Sequence, residues 1–120
     1  MTILNLTQHV ATPSQIEAGV LEPSDKTTVK NLLTFHVPPT SGVLVSRAED
    51  LAFYAKTQGC EMAMIGGAPY LMAPLEKELR AVGIEPVYSF SKRTSIDAPQ
   101  ADGSIHKVSI FVHEAWVTCP

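Results

Sequence analysis

Short apolar runs alternate along this chain with longer stretches whose apolar residues recur every three or four positions, so strand and helix are predicted in turn. Thr2-Ile3-Leu4-Asn5-Leu6 reads as a first β-strand. Thr12-Pro13-Ser14-Gln15 has the form of a helix start: Thr12 as N-cap, Pro13 at the first helical position, Gln15 closing a capping box, with Gly19 as the stop. A second helix is predicted from Pro23-Ser24-Asp25 to about Leu33, with Val29, Leu32 and Leu33 as its inward stripe and Pro38-Pro39 beyond it. From Val43 to Gln58, the spacing of Leu44, Ala48, Leu51, Ala52 and Ala55 predicts an amphipathic helix that Gly59 ends. Residues 61–65 are nearly all apolar, as in a strand covered on both faces. After Gly66-Gly67 a further helix is predicted through Leu75, Leu79 and Val82 to Gly83, with Pro74 in its first turn, where proline is tolerated. Residues 86–91 form the third strand.

The tail changes character. Two β-prone runs, residues 94–99 and 106–117, flank the turn signal Ala101-Asp102-Gly103-Ser104. Helical crossovers make the first three strands parallel, and the tail adds an antiparallel hairpin. The expectation is one α/β domain over residues 1–120, a Rossmann-like three-layer arrangement around a mixed sheet.

Composition narrows the function classes. The chain has 120 residues, 45% hydrophobic and 18% charged, enough for a real core. A net charge of −3 argues against a binder of duplex nucleic acid, which presents a basic face. No apolar stretch reaches the roughly 20 residues of a membrane span, and the N-terminus shows no basic, then apolar, leader pattern. Cys60 and Cys119 lack metal-type spacing and read as reduced thiols, so a cytoplasmic protein is expected.

Three polar clusters follow the three predicted parallel strands: Thr7-Gln8-His9, Gly66-Gly67-Ala68-Pro69, and Ser89 with Ser91-Lys92-Arg93. Open α/β sheets bind ligands outside the carboxyl ends of their strands, so these clusters are expected to share a site. Glycines let a ligand approach the backbone, and the helix that follows them turns its positive end toward an anion. The glycine turn is neither a Walker loop nor a dinucleotide fingerprint, and a tight packing turn explains it equally well. His9 is a candidate general acid or base, with a capping histidine as the plainer alternative. Arg93 is the better phosphate ligand of the basic pair, through its planar donor fork, and is grouped with His9 as catalytic. Thr7, Gln8, Gly66, Gly67, Ala68, Tyr70, Ser89, Ser91 and Lys92 are the candidate ligand contacts, Tyr70 by stacking on a base. Asn5, unusual inside a strand, is expected to tie the first loop to its neighbours. Arg47, Glu49 and Asp50 read as an exposed helix face. His106 and His113, seven apart in a strand, point to opposite faces, and no metal motif or cofactor is indicated.

The phrases NLTQHVATPSQIEAGV, AMIGGAPYLMAPLEKELRAVGIEPVYSFSKR and DGSIHKVSIFVHEAWV resemble a group of short bacterial and phage-encoded α/β proteins without a settled activity. In architecture the chain is also similar to the CARF-type ligand domains of CRISPR systems and to the related ring nucleases. That similarity implies binding, and in some members metal-independent cleavage, of cyclic oligonucleotides, usually across a dimer. The expected function is binding of a phosphate-bearing small ligand, a nucleotide or cyclic (oligo)nucleotide signal, at the carboxyl edge, with cleavage by a phosphodiesterase left open. The alternative is a non-catalytic phage or mobile-element accessory, such as an anti-defence protein that sequesters a ligand or partner. An anionic small molecule is the expected partner, with neither duplex nucleic acid nor membrane, and a homodimer stays open.

Overall fold

The computed structural model describes residues 2–120. Its elements in order are β1 (Ile3–Leu6), α1 (Pro13–Glu17), β2 (Val20–Leu21), α2 (Lys26–Leu33), α3 (Ser41–Thr57), β3 (Met62–Ile65), α4 (Pro69–Ala81), β4 (Glu85–Pro99) and β5 (Ile105–Thr118). They make a mixed α/β fold with one five-stranded sheet in the order β2-β1-β3-β4-β5. The β2–β1, β1–β3 and β3–β4 pairs are parallel and β4–β5 is antiparallel.

The local chemistry explains the helix ends. Thr12 and Gln15 form the capping box expected of α1. Asp25 caps α2 by accepting from the Thr28 N–H, and Thr40 caps α3 through the Val43 N–H. Helix α4 differs from expectation. It starts at Pro69, so Pro74 lies inside the helix and not in its first turn. A proline there removes one intrahelical hydrogen bond. The two-residue strand β2 was not anticipated either, since two residues carry no periodicity.

The third strand is also longer than expected. Residues 86–91 and 94–99 belong to one continuous strand, β4, because the antiparallel partner β5 satisfies its backbone far beyond the end of β3. The turn falls where the sequence placed it. Gln100 N–H donates to Ser104 O at 2.8 Å, and Gly103 takes a positive φ of 87°. The register shifts between Phe90 and Ser91, leaving Glu114 as the extra residue of a bulge on β5.

Side-chain alternation divides the core. Leu4, Leu6, Ala63 and Ile65 point to one face, where Val29 and Leu33 of α2, Leu51, Ala52 and Ala55 of α3, and Leu71, Leu75 and Leu79 of α4 bury them. Ile3, Val20, Met64 and Val87 point to the other face, covered by Ala11 and half-buried Trp116. Helical cover is therefore uneven. A full three-layer sandwich needs helices on both faces, whereas the second face carries only the five-residue α1, which buries no side chain. Among the described residues no helix is long and apolar enough to cross a membrane.

Replacing Pro74 with Ala should restore the missing helical hydrogen bond and stabilise the protein by about 1–2 kcal/mol, part of proline's helix cost being offset by its stiffening of the unfolded chain. Urea unfolding checks this through a higher midpoint at unchanged slope.

Candidate functional site

The strand order reverses at one place. From β1 the chain steps outward to β2 on one side, then returns to place β3 and β4 on the other. The loops that leave β1 and β3 consequently diverge, which opens a crevice at the carboxyl edge between them. A cavity of ≈ 480 Å³ lies there.

The first loop is built around Asn5, which is buried in the middle of β1. Its Oδ1 accepts from the Thr7 N–H at 3.0 Å and the Thr7 hydroxyl at 2.7 Å. Its Nδ2 donates to His9 O at 2.8 Å and to both carboxylate oxygens of Glu22. Glu22 also accepts from the Ala11 N–H at 2.8 Å and pairs with Lys26 at 3.2 Å. Lys26 in turn donates to the Thr7 and His9 carbonyls. Burial alone would raise the Glu22 pKa, but the Ala11 N–H, the Asn5 amide and the Lys26 ammonium outweigh it and hold the carboxyl below its ordinary value. Gln8 ties the same loop to the end of α2 through Leu33 O and the Thr34 hydroxyl. Thr7 and Gln8 both line the cavity, yet these polar groups are engaged within the fold. Among the described residues the His9 ring has no hydrogen-bond partner, and it too lines the cavity.

Gly66 and Gly67 form the opposite wall, directly after β3. Gly67 has a φ of 140°, a conformation that side chains strain. Gly66 is different. Its φ is not positive, and a Cβ there would meet only the Thr7 methyl at 3.6 Å, an ordinary contact. Neither backbone nor packing requires a glycine at 66, so its bareness leaves room in the cavity. Ala68 is the N-cap of α4 and offers no side-chain cap, but Pro69 carries no N–H and the Leu71 N–H bonds Ala68 O at 3.0 Å, so little of that helix start is open to a ligand.

The third wall comes from β4. Ser89 lines the cavity, and its Oγ lies 2.7 Å from His113 Nδ1 on β5. The Gln15 amide donates to the same Oγ at 3.2 Å. Ser91 Oγ lies 3.3 Å from the same oxygen, and which of Ser89 and His113 donates follows the imidazole tautomer: the serine donates when Nδ1 carries no proton and accepts when it does. The His113 ring stacks at a tilt on Trp116, 4.2 Å between centroids, and its backbone N–H donates to Ser14 Oγ. This pair was not anticipated. The turn at residues 101–104 does carry a signal for it, because counting outward along both strands sets His113 opposite Ser91. The bulge at Glu114 then brings it within reach of Ser89. Tyr88, also in the lining, donates to Glu76 at 2.7 Å. Burial first, then that carboxylate, push its phenol well above the usual range, so it stays protonated. Burial likewise raises the Cys60 and Cys119 thiols, both free.

The remaining candidates fall elsewhere. Ser91 touches Ser89 at 3.3 Å but does not reach the cavity. Lys92 and Arg93 sit on the projecting part of β4, exposed, and Arg93 lies over the Phe111 ring at 5.4 Å instead of facing His9 and Gly67. The strand continues past the sheet edge where a loop was expected to turn back. Tyr70 lines a separate hollow near Pro38-Pro39 and packs edge-on against Phe35, 5.5 Å between centroids. Arg47 is no merely exposed residue: it caps the end of α2 through the Asn31, Leu32 and Thr34 carbonyls and covers Phe35. Among the described residues no group of three or more His, Cys, Asp or Glu side chains is placed to hold a metal ion.

Fold and site define an α/β protein with a crevice of ≈ 480 Å³ where the strand order reverses. A family model described as the uncharacterized protein MJ1673 family matches residues 1–117, and the chain belongs to that family. No curated protein and no solved structure matches the chain.

The lowered Glu22 pKa sets a pH dependence. A carboxyl whose folded pKa is depressed contributes stability above its unfolded value, ordinarily 4.5, and that contribution is lost as pH falls through the folded value. Urea midpoints measured across that acid range should fall more steeply for the parent than for Glu22→Gln. Asn5→Ala should cost roughly 1–3 kcal/mol at neutral pH, the penalty for stranding buried partners.

Proposed function

We propose that the crevice binds a phosphate-bearing small ligand of mononucleotide size or a segment of a cyclic (oligo)nucleotide. One observation carries this reading: residues following β1, residues following β3 and Ser89 of β4 line one cavity at the point of strand reversal. Its ≈ 480 Å³ suits such a ligand. The backbone of Gly66 and Gly67 at the cavity wall supplies N–H donors for an anion, and His9 supplies a donor free of other duties. Rossmann-like kinship belongs to the same proposal, since ligand placement at a strand-order switch is what it would require. Arg93 has no part in it.

A second reading, metal-independent cleavage of the bound ester, is favoured by the 2.7 Å Ser89–His113 contact. A serine hydroxyl hydrogen-bonded to an imidazole at a cavity wall is the arrangement of an activated nucleophile. Attack by Oγ forms an oxygen–phosphorus bond, passes the serine proton to His113 and expels the ester oxygen, protonated by His9 at the cavity wall; water then attacks the phosphoserine, gives its proton to His9, and Ser89 Oγ leaves with the proton from His113.

Calorimetry with nucleotides and cyclic nucleotides tests both. Gly66→Ala should keep the fold and weaken binding at least about tenfold, because its methyl group would occupy the approach to the backbone. Parent-like binding by this variant sinks the site. Ser89→Ala and His113→Ala should leave binding within a few-fold and lower any cleavage rate by roughly 10²–10⁴. Equal turnover in all forms, or none in the parent, leaves binding alone.

A further inference from the structure

Beyond Tyr88, strands β4 and β5 leave the body of the protein as a two-stranded ribbon. Paired residues show its two faces. Phe90, Ile96, Val108, Ile110 and Val112 fall on one, together with Lys92, Thr94 and His106; this is the face that at Tyr88 lies under the helices. Ser91, Ser95, Asp97, Lys107 and Ser109 fall on the other, with an Asp97–Lys107 ion pair, and there Arg93 covers Phe111. The first face is the more apolar of the two, although Ile105 and Phe111 stand on the second, and among the described residues α4 is the last helix and nothing covers the first face. Phe90 is 52% exposed and Ile96 42%. A two-stranded ribbon is at best marginally stable alone.

The size of the uncovered surface indicates what covers it. The chain exposes 7256 Å². A compact monomer of 13.0 kDa exposes about 6,300 Å². The excess over the whole chain, roughly 900 Å², includes both faces of the ribbon and is of the size of the ~800 Å² each partner contributes to a stable interface. The radius of gyration, 16.4 Å, likewise exceeds the roughly 14 Å of a compact chain this long. We infer that the ribbon's apolar face packs against the same face of a second copy of this chain, making a two-fold dimer. A two-fold interface uses one patch twice, so a mainly apolar face is self-complementary, with Lys92 able to lay its alkyl stem on the patch and carry its ammonium to the rim. Two such sheets pack about 10 Å apart with their side chains interdigitated. This inference is independent of the crevice and its ligand.

Light scattering after size exclusion, on the full chain at micromolar concentration, tests it. The expected mass is twice 13.0 kDa. Ile110→Glu should weaken association roughly 100-fold or more by burying an unpaired charge, leaving a monomer with parent-like helical circular dichroism. Ser109→Glu, one residue away on the polar face, should remain dimeric. A monomeric parent overturns the inference, as does an Ile110→Glu protein that stays dimeric, or a Ser109→Glu protein that dissociates with its fold intact. If Ile110→Glu does not fold, Val108→Lys replaces it with the same criterion.

Discussion

A buried asparagine in the middle of a parallel strand must satisfy an amide that water cannot reach, and in this protein that requirement organises the whole carboxyl edge. Asn5 fills its four-bond capacity with Thr7, His9 and Glu22. Glu22 follows β2, so the amide fastens the loop after β1 to the outermost strand. Lys26 closes the arrangement from the first turn of α2. Low local dielectric makes each of these bonds strong and makes a missing partner expensive. The loop is therefore held without touching any ligand, and His9 is left as the group presented to the crevice. Polar residues that look like ligand contacts in the sequence are here the supports of the contact.

The uneven helical cover follows from the connections. The step from β1 to β2 carries α1 over one face, while the return to β3 and the step to β4 carry α2, α3 and α4 over the other. Right-handed crossovers in opposite directions put helices on opposite faces. Because α1 has only five residues, its face is completed by the 8–12 loop and by Trp116 from β5. That is why the hairpin base and the crevice are mechanically joined: Gln15, Ser14, Ser89 and His113 fasten α1 to β4 and β5. The same polar contacts that position Ser89 thus also hold the thinner layer in place.

Much of this was legible in the sequence where a local rule had no competitor. The capping box at Thr12, the start near Asp25, the Ala48–Ala55 stripe, the parallel strands and the Asp102-Gly103 turn each depend on neighbours within a few residues, and all appear. The convergence of Thr7, Gln8, His9, Gly66, Gly67 and Ser89 was legible as well, since strand direction alone places them at one edge. Long-range pairing decided the rest. Residues 86–91 carry no sign that the strand runs on to Pro99, because the cause is β5, and with that extension Arg93 moves out of the site. Pro74 was misplaced because Pro69 is also a valid helix start, and only packing of Leu71 and Met72 into the core chooses it. Tyr70 was drawn away by Phe35, a partner on a loop whose path has no periodic signal.

The crevice and the ribbon meet at Ser89, and the physics of the two regions differs there. Below it, β4 is covered on both sides and Val87 is fully buried. Above it, both strands are largely exposed, and among the described residues each has only the other as ladder partner. The bulge at Glu114 sits at this boundary. A bulge increases local twist and re-aims the side chains beside it, so one extra residue both turns His113 toward Ser89 and sets the angle at which the ribbon leaves the sheet. The His113–Trp116 stack and the Ser14 and Gln15 bonds sit at this same boundary. The geometry of the Ser89 hydroxyl depends on contacts from α1, β4 and β5 together, and no one of these elements fixes it alone.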